Sequence, residues 1–257
     1  LAMADACLVG KTGVNFTPYG KNQVGAFHFP TIVDVWVGWL TTLPPRQVRA
    51  GAIECIKHAF LCGDLQLAKA IADAVRSNRL DALTSLLPPI IQVKADVVAE
   101  DPGESGKRAI LNLGHTLAHA LEAFAHGCTS GEITILHGEA VGIGLVYALL
   151  LSRDIAGLAP QELENMIELL RYGDCLLNAK KLAERIGCTS VADHQIFDRL
   201  WALAAHDKKN LGGTDSINFV LLQAPGKIAR SPDSAWTLTV SYDAARDAWD
   251  ELLTRLM

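Results

Sequence analysis

The stretch RAILNLGHTLAHALE, residues 108–122, is an apolar, helix-like segment that carries a row of polar side chains. If the stretch is a helix, the polar residues fall on one face. They are Arg108, Asn112, His115, His119 and Glu122. Burying polar groups without partners is costly, so such a helix lines either a satisfied internal hydrogen-bond network or a binding site.

Helical periodicity extends through most of the chain, and strands are few. Apolar spacing predicts helices over 46–61, 64–76, 79–87, 89–100, 109–126, 137–153, 160–171, 177–186 and 194–206, and an amphipathic helix from residue 242. The β-branched and aromatic stretch 31–40 predicts a strand, and 216–223 with 227–231 predicts a hairpin that turns at Pro225 and Gly226. Residues 1–30 are glycine-rich and are predicted to be irregular. We therefore expect a mainly α fold with a few short strands.

Composition excludes several classes of protein. The net charge of −5 argues against a general nucleic-acid binder, so an anionic substrate would need a local cluster of cations. The longest apolar run, 140–151, is too short to span a bilayer, and no signal peptide is visible. The six cysteines form no CxxC pair, which favours a reducing, cytoplasmic environment.

Histidines and a carboxylate on separate predicted helices suit a metal site. His115, His137 and Glu54 would supply two imidazoles and one carboxylate, a typical ligand set for catalytic zinc. Spacing alone does not select this set, because His115 and His119 at i and i+4 could equally both bind metal. Lys57 shares a helix face with Glu54, whereas Lys94 on its own helix would be taken for a solvated surface lysine.

Several motifs together resemble the 3-dehydroquinate synthase family. They follow the family's order over residues 1–222: DACLVGKTGVN, GKNQVGAFHFP, LTTLP, AGAIECIKHA, VKADVVAEDPGESGKR, RAILNLGHTLAHALE, LHGEAVGIG and HDKKNLGG. The resemblance implies a doubly wound nucleotide-binding domain followed by a helical metal-binding domain. Residues 1–45 would be the end of the first domain and the connection, and residues 46–257 would be the second domain.

The resemblance also implies a reaction. Members of the family are carbon–oxygen lyases of the shikimate pathway, which serves aromatic amino acid biosynthesis. They use NAD and zinc (or cobalt) to cyclise DAHP, a seven-carbon keto-acid sugar phosphate, to 3-dehydroquinate with loss of phosphate. A homodimer is the implied assembly, with neither nucleic acid nor membrane as a partner.

Site residues follow from the resemblance position by position. Glu54, His115 and His137 are implied as the metal ligands, and Lys94 with Arg108 as the pair that grips the substrate carboxylate. The other implied substrate contacts, to phosphate or ring hydroxyls, are Asp5, Lys11, Lys57, Asn112, His119, Lys208 and Lys209, with the choice between the last two left open. The implied NAD contacts are Lys11, Lys21, Asn22, Trp39, Leu40, Thr41 and Thr42.

One departure from the family is large. No strand followed by GxGxxG occurs, so we expect the chain to be a fragment whose partner is the missing nucleotide-binding domain, on the same or a separate chain. Alternatives are another sugar phosphate cyclase, a polyol or glycerol dehydrogenase-like enzyme, and a non-catalytic metal-binding remnant. The presence of Arg108 and Lys94 favours a substrate that bears a carboxylate.

Overall fold

The computed structural model describes residues 2–16, 20–128, 134–205 and 215–257. Within these ranges the chain is mainly helical, as predicted. The helices are α1 Pro45–Cys62, α2 Leu65–Arg76, α3 Leu83–Glu100, α4 His115–Cys128, α5 His137–Leu151, α6 Pro160–Tyr172, α7 Ala179–Ile186, α8 His194–Ala205 and α9 Tyr242–Leu256. The strands are β1 Lys11–Phe16, β2 Gly20–Phe27, β3 Ser216–Phe219, β4 Leu222–Ala224, β5 Lys227–Ile228 and β6 Leu238–Ser241.

Helix α5 forms the centre of the core and is buried from Gly138 to its last residue. It packs against α1, α4 and α9. Two glycines permit this close packing, because a Cβ at Gly138 would lie 1.8 Å from the carbonyl oxygen of Ala50, and one at Gly144 would lie 1.9 Å from that of Gly114. The backbones of α1, α5 and the chain entering α4 therefore meet without intervening side chains.

The polar stretch 108–122 is not one continuous helix, and this part of the prediction is wrong. Residues Lys107–Asn112 form a 3₁₀ helix, and α4 begins only at His115. Gly114 has φ +77° between the two segments. That left-handed conformation, which glycine adopts without strain, turns the chain and separates the polar residues into two groups.

Another expectation about helices also differs from the structure. The predicted helices 79–87 and 89–100 are joined in α3, which runs through Pro88 and Pro89. Both prolines are exposed, so water can hydrate the carbonyl oxygens that lose an intrahelical partner.

Among the described residues, the segment Leu80–Glu100 has the length and mean hydropathy (1.3) of a membrane-spanning helix. Core helices share these properties, so one such segment is weak evidence for a membrane span.

The N-terminal part differs most from the prediction. Residues 11–16 and 20–27 form an antiparallel hairpin where irregular chain was expected. The predicted strand 31–40 is absent: its first part is irregular, and Val37–Thr42 is a 3₁₀ helix. Within the described ranges β1 pairs only with β2, so no strand lies beside this segment to pair with it.

The C-terminal part is close to the prediction. Strands β4 and β5 form the expected hairpin, with Pro225 and Gly226 between them. Strand β3, predicted as part of the same strand as β4, instead pairs antiparallel with β6. Helix α9 is the predicted terminal helix and buries one apolar face that includes Trp249 and Leu252.

Candidate metal and substrate site

Three side chains from three helices converge beneath the N-terminus of α5. Oε1 of Glu54, on α1, lies 3.3 Å from Nε2 of His115 and 3.2 Å from Nε2 of His137. One ligand atom from each residue falls within 4.8 Å of the other two. Zinc bonds of about 2.0–2.1 Å at tetrahedral angles place neighbouring ligand atoms about 3.4 Å apart. The two distances from Oε1 of Glu54 therefore fit a tetrahedral metal ion held by three protein ligands.

Glu54 is buried in a way that favours a cation nearby. Neither of its carboxylate oxygens has a hydrogen-bond partner of good geometry among the described residues. The ammonium of Lys57 lies 2.5 Å from Oε2 and donates to the carbonyl oxygen of Leu111 at 2.7 Å. Burial alone would raise the pKa of Glu54, but the charge of Lys57 and the contact with His115 hold it well below its usual value. Glu54 is therefore a carboxylate at neutral pH.

Each histidine is oriented through its second ring nitrogen. Nδ1 of His115 lies 3.1 Å from the carbonyl oxygen of Leu113, and Nδ1 of His137 lies 3.3 Å from Oε1 of Glu122. Such outer contacts fix the ring and leave Nε2 for a metal. Burial lowers the pKa of His115 to about 4. Burial acts in the same sense on His137, but Glu122 and Glu54 outweigh it and raise that pKa to about 9.

A third histidine of the region, His119, lies beside the three candidate ligands rather than among them. Its ring centre is 5.5 Å from that of His115 and 6.3 Å from that of His137, to which it is nearly parallel. The group whose ligand atoms converge contains Glu54, His115 and His137 and omits His119. Of the alternatives that spacing left open, the geometry thus favours the three-helix set over the i, i+4 pair.

Asp5, Lys94 and His58 form a second polar cluster next to Glu54. Nζ of Lys94, a buried residue and not a solvated one, forms an ion pair with Oδ1 of Asp5. His58 is fully buried, its Nε2 is 3.5 Å from the same oxygen, and burial lowers its pKa to about 3. The ligand atoms of Asp5, Glu54 and His58 also lie within 4.8 Å of one another. The ammonium of Lys94 occupies the same oxygen of Asp5 that faces His58, whereas Lys57 contacts Oε2 of Glu54 and leaves Oε1 to the two histidines, so the second group is the poorer cation site.

Arg108 is buried and held by backbone carbonyl groups. Its guanidinium donates to the carbonyl oxygens of Pro102 at 2.9 Å and Val9 at 2.5 Å. The preceding loop is shaped by Asp101, which accepts from the backbone N–H groups of Ser105, Gly106 and Arg108 at 2.8–2.9 Å. These bonds lower the pKa of Asp101 to about 2. Arg108 and Lys94 both contact the 5–9 segment, which places them on the same side of the site.

The remaining predicted contacts are more varied. Lys11 forms an ion pair with Glu104, and the amide of Asn112 donates to its own turn, to the carbonyl oxygen of Ala109 at 3.0 Å. In the 3₁₀ helix 37–42, Leu40 is buried and Trp39 is exposed. The hydroxyls of Thr41 and Thr42 donate to backbone carbonyls within the same helix. The side chains of Lys21 and Asn22, and all of Lys208 and Lys209, lie outside the described residues.

Comparison with known proteins identifies the family of the chain. Residues 51–210 match the family described as 3-dehydroquinate synthase C-terminal, and residues 1–50 match the one described as 3-dehydroquinate synthase N-terminal. The chain belongs to the 3-dehydroquinate synthase family. Curated relatives of that name include one from Bordetella pertussis, 40% identical over 229 residues, and one from Leptospira interrogans, 38% identical over 232 residues. Each match covers 88% of this chain but only 58% and 57% of the relative, so the chain spans under two thirds of their length.

Solved structures of related cyclases share the fold. A 2-deoxy-scyllo-inosose synthase complexed with carbaglucose-6-phosphate, NAD⁺ and Co²⁺ matches with a TM-score of 0.75 and 25% identity, over 97% of this chain and 64% of that chain. ValA, a 2-epi-5-epi-valiolone synthase from Streptomyces hygroscopicus subsp. jinggangensis 5008 with NAD⁺ and Zn²⁺ bound, matches with a TM-score of 0.76 and 24% identity, over 99% of this chain and 64% of that chain. The second likeness shows the fold alone. The mainly α fold of the 3-dehydroquinate synthase type is thus confirmed.

Sequence analysis missed several groups of this 3-dehydroquinate synthase-family site. Glu122 belongs to the row of polar residues, but the sequence does not pair it with His137, and no motif singles out His58. Asp101 was not singled out, although an aspartate before a Gly- and Ser-containing loop is a common backbone acceptor. The partner of Lys11, Glu104, is 93 positions away in the chain, and no local pattern predicts such a pair.

Proposed function

We propose that this chain forms the metal- and substrate-binding part of a 3-dehydroquinate synthase that converts DAHP to 3-dehydroquinate in the shikimate pathway. The observation that carries the proposal is the convergence of Glu54 Oε1 with Nε2 of His115 and His137. These three residues would hold one zinc or cobalt ion. A bound ion of this kind polarises the hydroxyl oxygens of a substrate and lowers the cost of alkoxide character.

Cations around the metal would bind the two anionic ends of the substrate. Arg108 uses two of its five N–H donors on backbone carbonyls, so its fork retains donors for a carboxylate. Lys94 is paired with Asp5, and its ammonium likewise retains donors. We assign this pair to the substrate carboxylate. We assign Asn112, His119 and one of Lys208 and Lys209 to the phosphate.

Ring hydroxyls would meet Lys57, Lys11 and Asp5. Lys57 already lies between Glu54 and the carbonyl oxygen of Leu111, where its ammonium can donate to an oxygen that approaches the metal. Holding carboxylate, phosphate and hydroxyls at once keeps the substrate in a fixed orientation through several steps, which supplies much of the rate enhancement. In this scheme the protein groups bind and orient, and the substrate's own phosphate accepts a proton as it leaves.

NAD and a nucleotide-binding domain complete the proposal. The NAD contacts assigned to this chain are Lys11, Lys21, Asn22 and the 39–42 segment, and residues 1–45 are assigned to the nucleotide-binding side of the boundary at 45/46. This part of the chain exposes large apolar side chains: Val14, Val24, Phe27, Phe29, Ile32, Trp36 and Trp39. Exposed apolar area of this extent is typical of a surface that packs against another domain. The related 2-deoxy-scyllo-inosose synthase solved with NAD⁺ and Co²⁺ supports the choice of cofactors.

The proposal is tested first by metal content. Purified protein should hold about one zinc or cobalt ion per chain, since three protein ligands suit a catalytic site. His137→Ala should lose that ion, whereas His126→Ala, which removes an exposed histidine of α4, should keep it. Equal metal in the two variants would refute the assigned ligands.

The reaction is tested by reconstituting the enzyme from two parts. The chain supplied together with the nucleotide-binding domain of a relative, NAD and zinc should convert DAHP to 3-dehydroquinate. A second candidate is a cyclase acting on a different sugar phosphate, which the likeness to 2-deoxy-scyllo-inosose synthase favours. Turnover of glucose 6-phosphate but not of DAHP would support that candidate and overturn the first.

A further inference from the structure

A polar bridge joins the helix that carries Glu54 to the helix that carries His137. Nε of Arg46 donates to Oε1 of Glu139 at 2.6 Å, and a terminal nitrogen of Arg46 donates to Oε2 at 2.7 Å. The same terminal nitrogen donates to the carbonyl oxygen of Thr134 at 2.7 Å. Arg46 stands in the first turn of α1, and Glu139 stands in the first turn of α5.

Glu139 has a second task at the start of α5. Its Oε2 accepts from the backbone N–H of Leu136 at 2.9 Å, so the carboxylate caps the helix that begins with His137. Burial would raise the pKa of Glu139, but the bonds from Arg46 and Leu136 lower it, so the group is charged at neutral pH. Arg46 thus holds the residues on both sides of His137, namely the carbonyl group of Thr134 before it and the side chain of Glu139 after it.

The neighbouring backbone contact explains why the bridge matters for the metal. At Gly138 the backbone of α5 lies so close to Ala50 that no Cβ fits between them. Ala50 is one helical turn from Glu54, and Gly138 follows His137 directly. A shift of the first turn of α5 relative to α1 therefore changes the distance between the ligand atoms of Glu54 and His137.

We propose that Arg46 and Glu139 are positioning residues that set the distance between the ligands Glu54 and His137 and thereby the affinity of the site for its metal. This inference rests on the proposed metal site. Contacts of this kind beyond the ligands typically contribute 10–100-fold to metal affinity. Neither residue belongs to the group whose ligand atoms converge, so we expect their effect to pass through the geometry of α1 and α5.

The test is the dissociation constant for Co²⁺ of the metal-free full chain, measured by the visible absorption of tetrahedral cobalt with zinc competition as a check. Arg46→Ala and Glu139→Ala should each raise it about 10–100-fold. The effect of the double variant should be smaller than the product of the two single effects, because both substitutions remove the same bridge, while each also removes one contact of its own, to Thr134 or to Leu136. Arg46→Lys and Glu139→Gln, which keep part of the contact, should restore much of the affinity and serve as readouts if an alanine variant does not fold.

Arg153→Ala is the matched control, because Arg153, two residues past the end of α5, makes a comparable bidentate ion pair with Glu251 of α9, away from the metal site. It should bind Co²⁺ like the original protein. Binding by Arg46→Ala that equals the original, or equal weakening in Arg46→Ala and Arg153→Ala, would overturn the positioning role. Failure of the proposed function has a different signature: the original protein and His137→Ala would then bind cobalt equally.

Discussion

The close approach of α5 to the chain entering α4 gives a sharp prediction for Gly144→Ala. The added Cβ would lie 1.9 Å from the carbonyl oxygen of Gly114, and real Cβ contacts are essentially never shorter than 3.0 Å. Both atoms belong to or adjoin backbone, so the two segments must separate by about 1 Å or more. Overpacking of a tight core costs about 1–3 kcal/mol, and a backbone clash belongs at the upper end.

The expected loss of about 3 kcal/mol corresponds to a fall in Tm of about 6–12 °C for a chain of this size. Gly127→Ala is the control, because a Cβ there has no atom within 4 Å and alanine favours helix. Urea and thermal unfolding of both variants provide the measurement. Because Gly114 directly precedes His115, Gly144→Ala should also weaken metal binding. Equal stability of the two variants would refute the argument that α4 and α5 meet through backbone.

Two further predictions concern groups that the sequence alone did not assign. Glu122→Gln should raise the metal dissociation constant about tenfold, as measured by cobalt titration, because it weakens the contact with Nδ1 of His137. An unchanged dissociation constant would show that Glu122 does not orient His137 for the metal. Asp101→Asn should unfold at lower urea concentration at pH 7. Since the folded pKa of Asp101 is lowered to about 2, its contribution is complete above the unfolded pKa near 4 and is lost as pH falls towards 2. The difference between the two proteins should therefore shrink over that range, and a gap that persists at pH 2 would contradict this cause.

Periodicity predicted those elements whose burial is decided locally. Helices α1, α5 and α6 begin and end within a residue or two of the expected bounds. Helix α5 is the central helix, and it is buried on every face from Gly138 onward. Gly114 interrupts the predicted helix 109–126, because one residue in the left-handed conformation turns the chain even where both flanking segments have a helical pattern. The stretch 31–40 has strand-forming residues, but a strand also needs a partner, and propensity does not supply one.

The candidate site was only partly accessible from sequence. The residue types that bind metal were visible, but choosing His137 over His119 required knowing which helices meet. Lys94 shows the same limit, since its helix pattern suggested solvent and tertiary packing buried it against Asp5. The positioning contacts join residues such as Arg46 and Glu139 that are far apart in the chain, so only the packed fold brings them together.

The central claim is that one metal ion sits among Glu54, His115 and His137, and anomalous diffraction at the zinc edge from crystals grown with zinc tests it most directly. The account predicts a single strong peak about 2.0–2.2 Å from Glu54 Oε1 and from Nε2 of both histidines. A peak among Asp5, Glu54 and His58 instead, or no peak within bonding distance of Glu54, would contradict it.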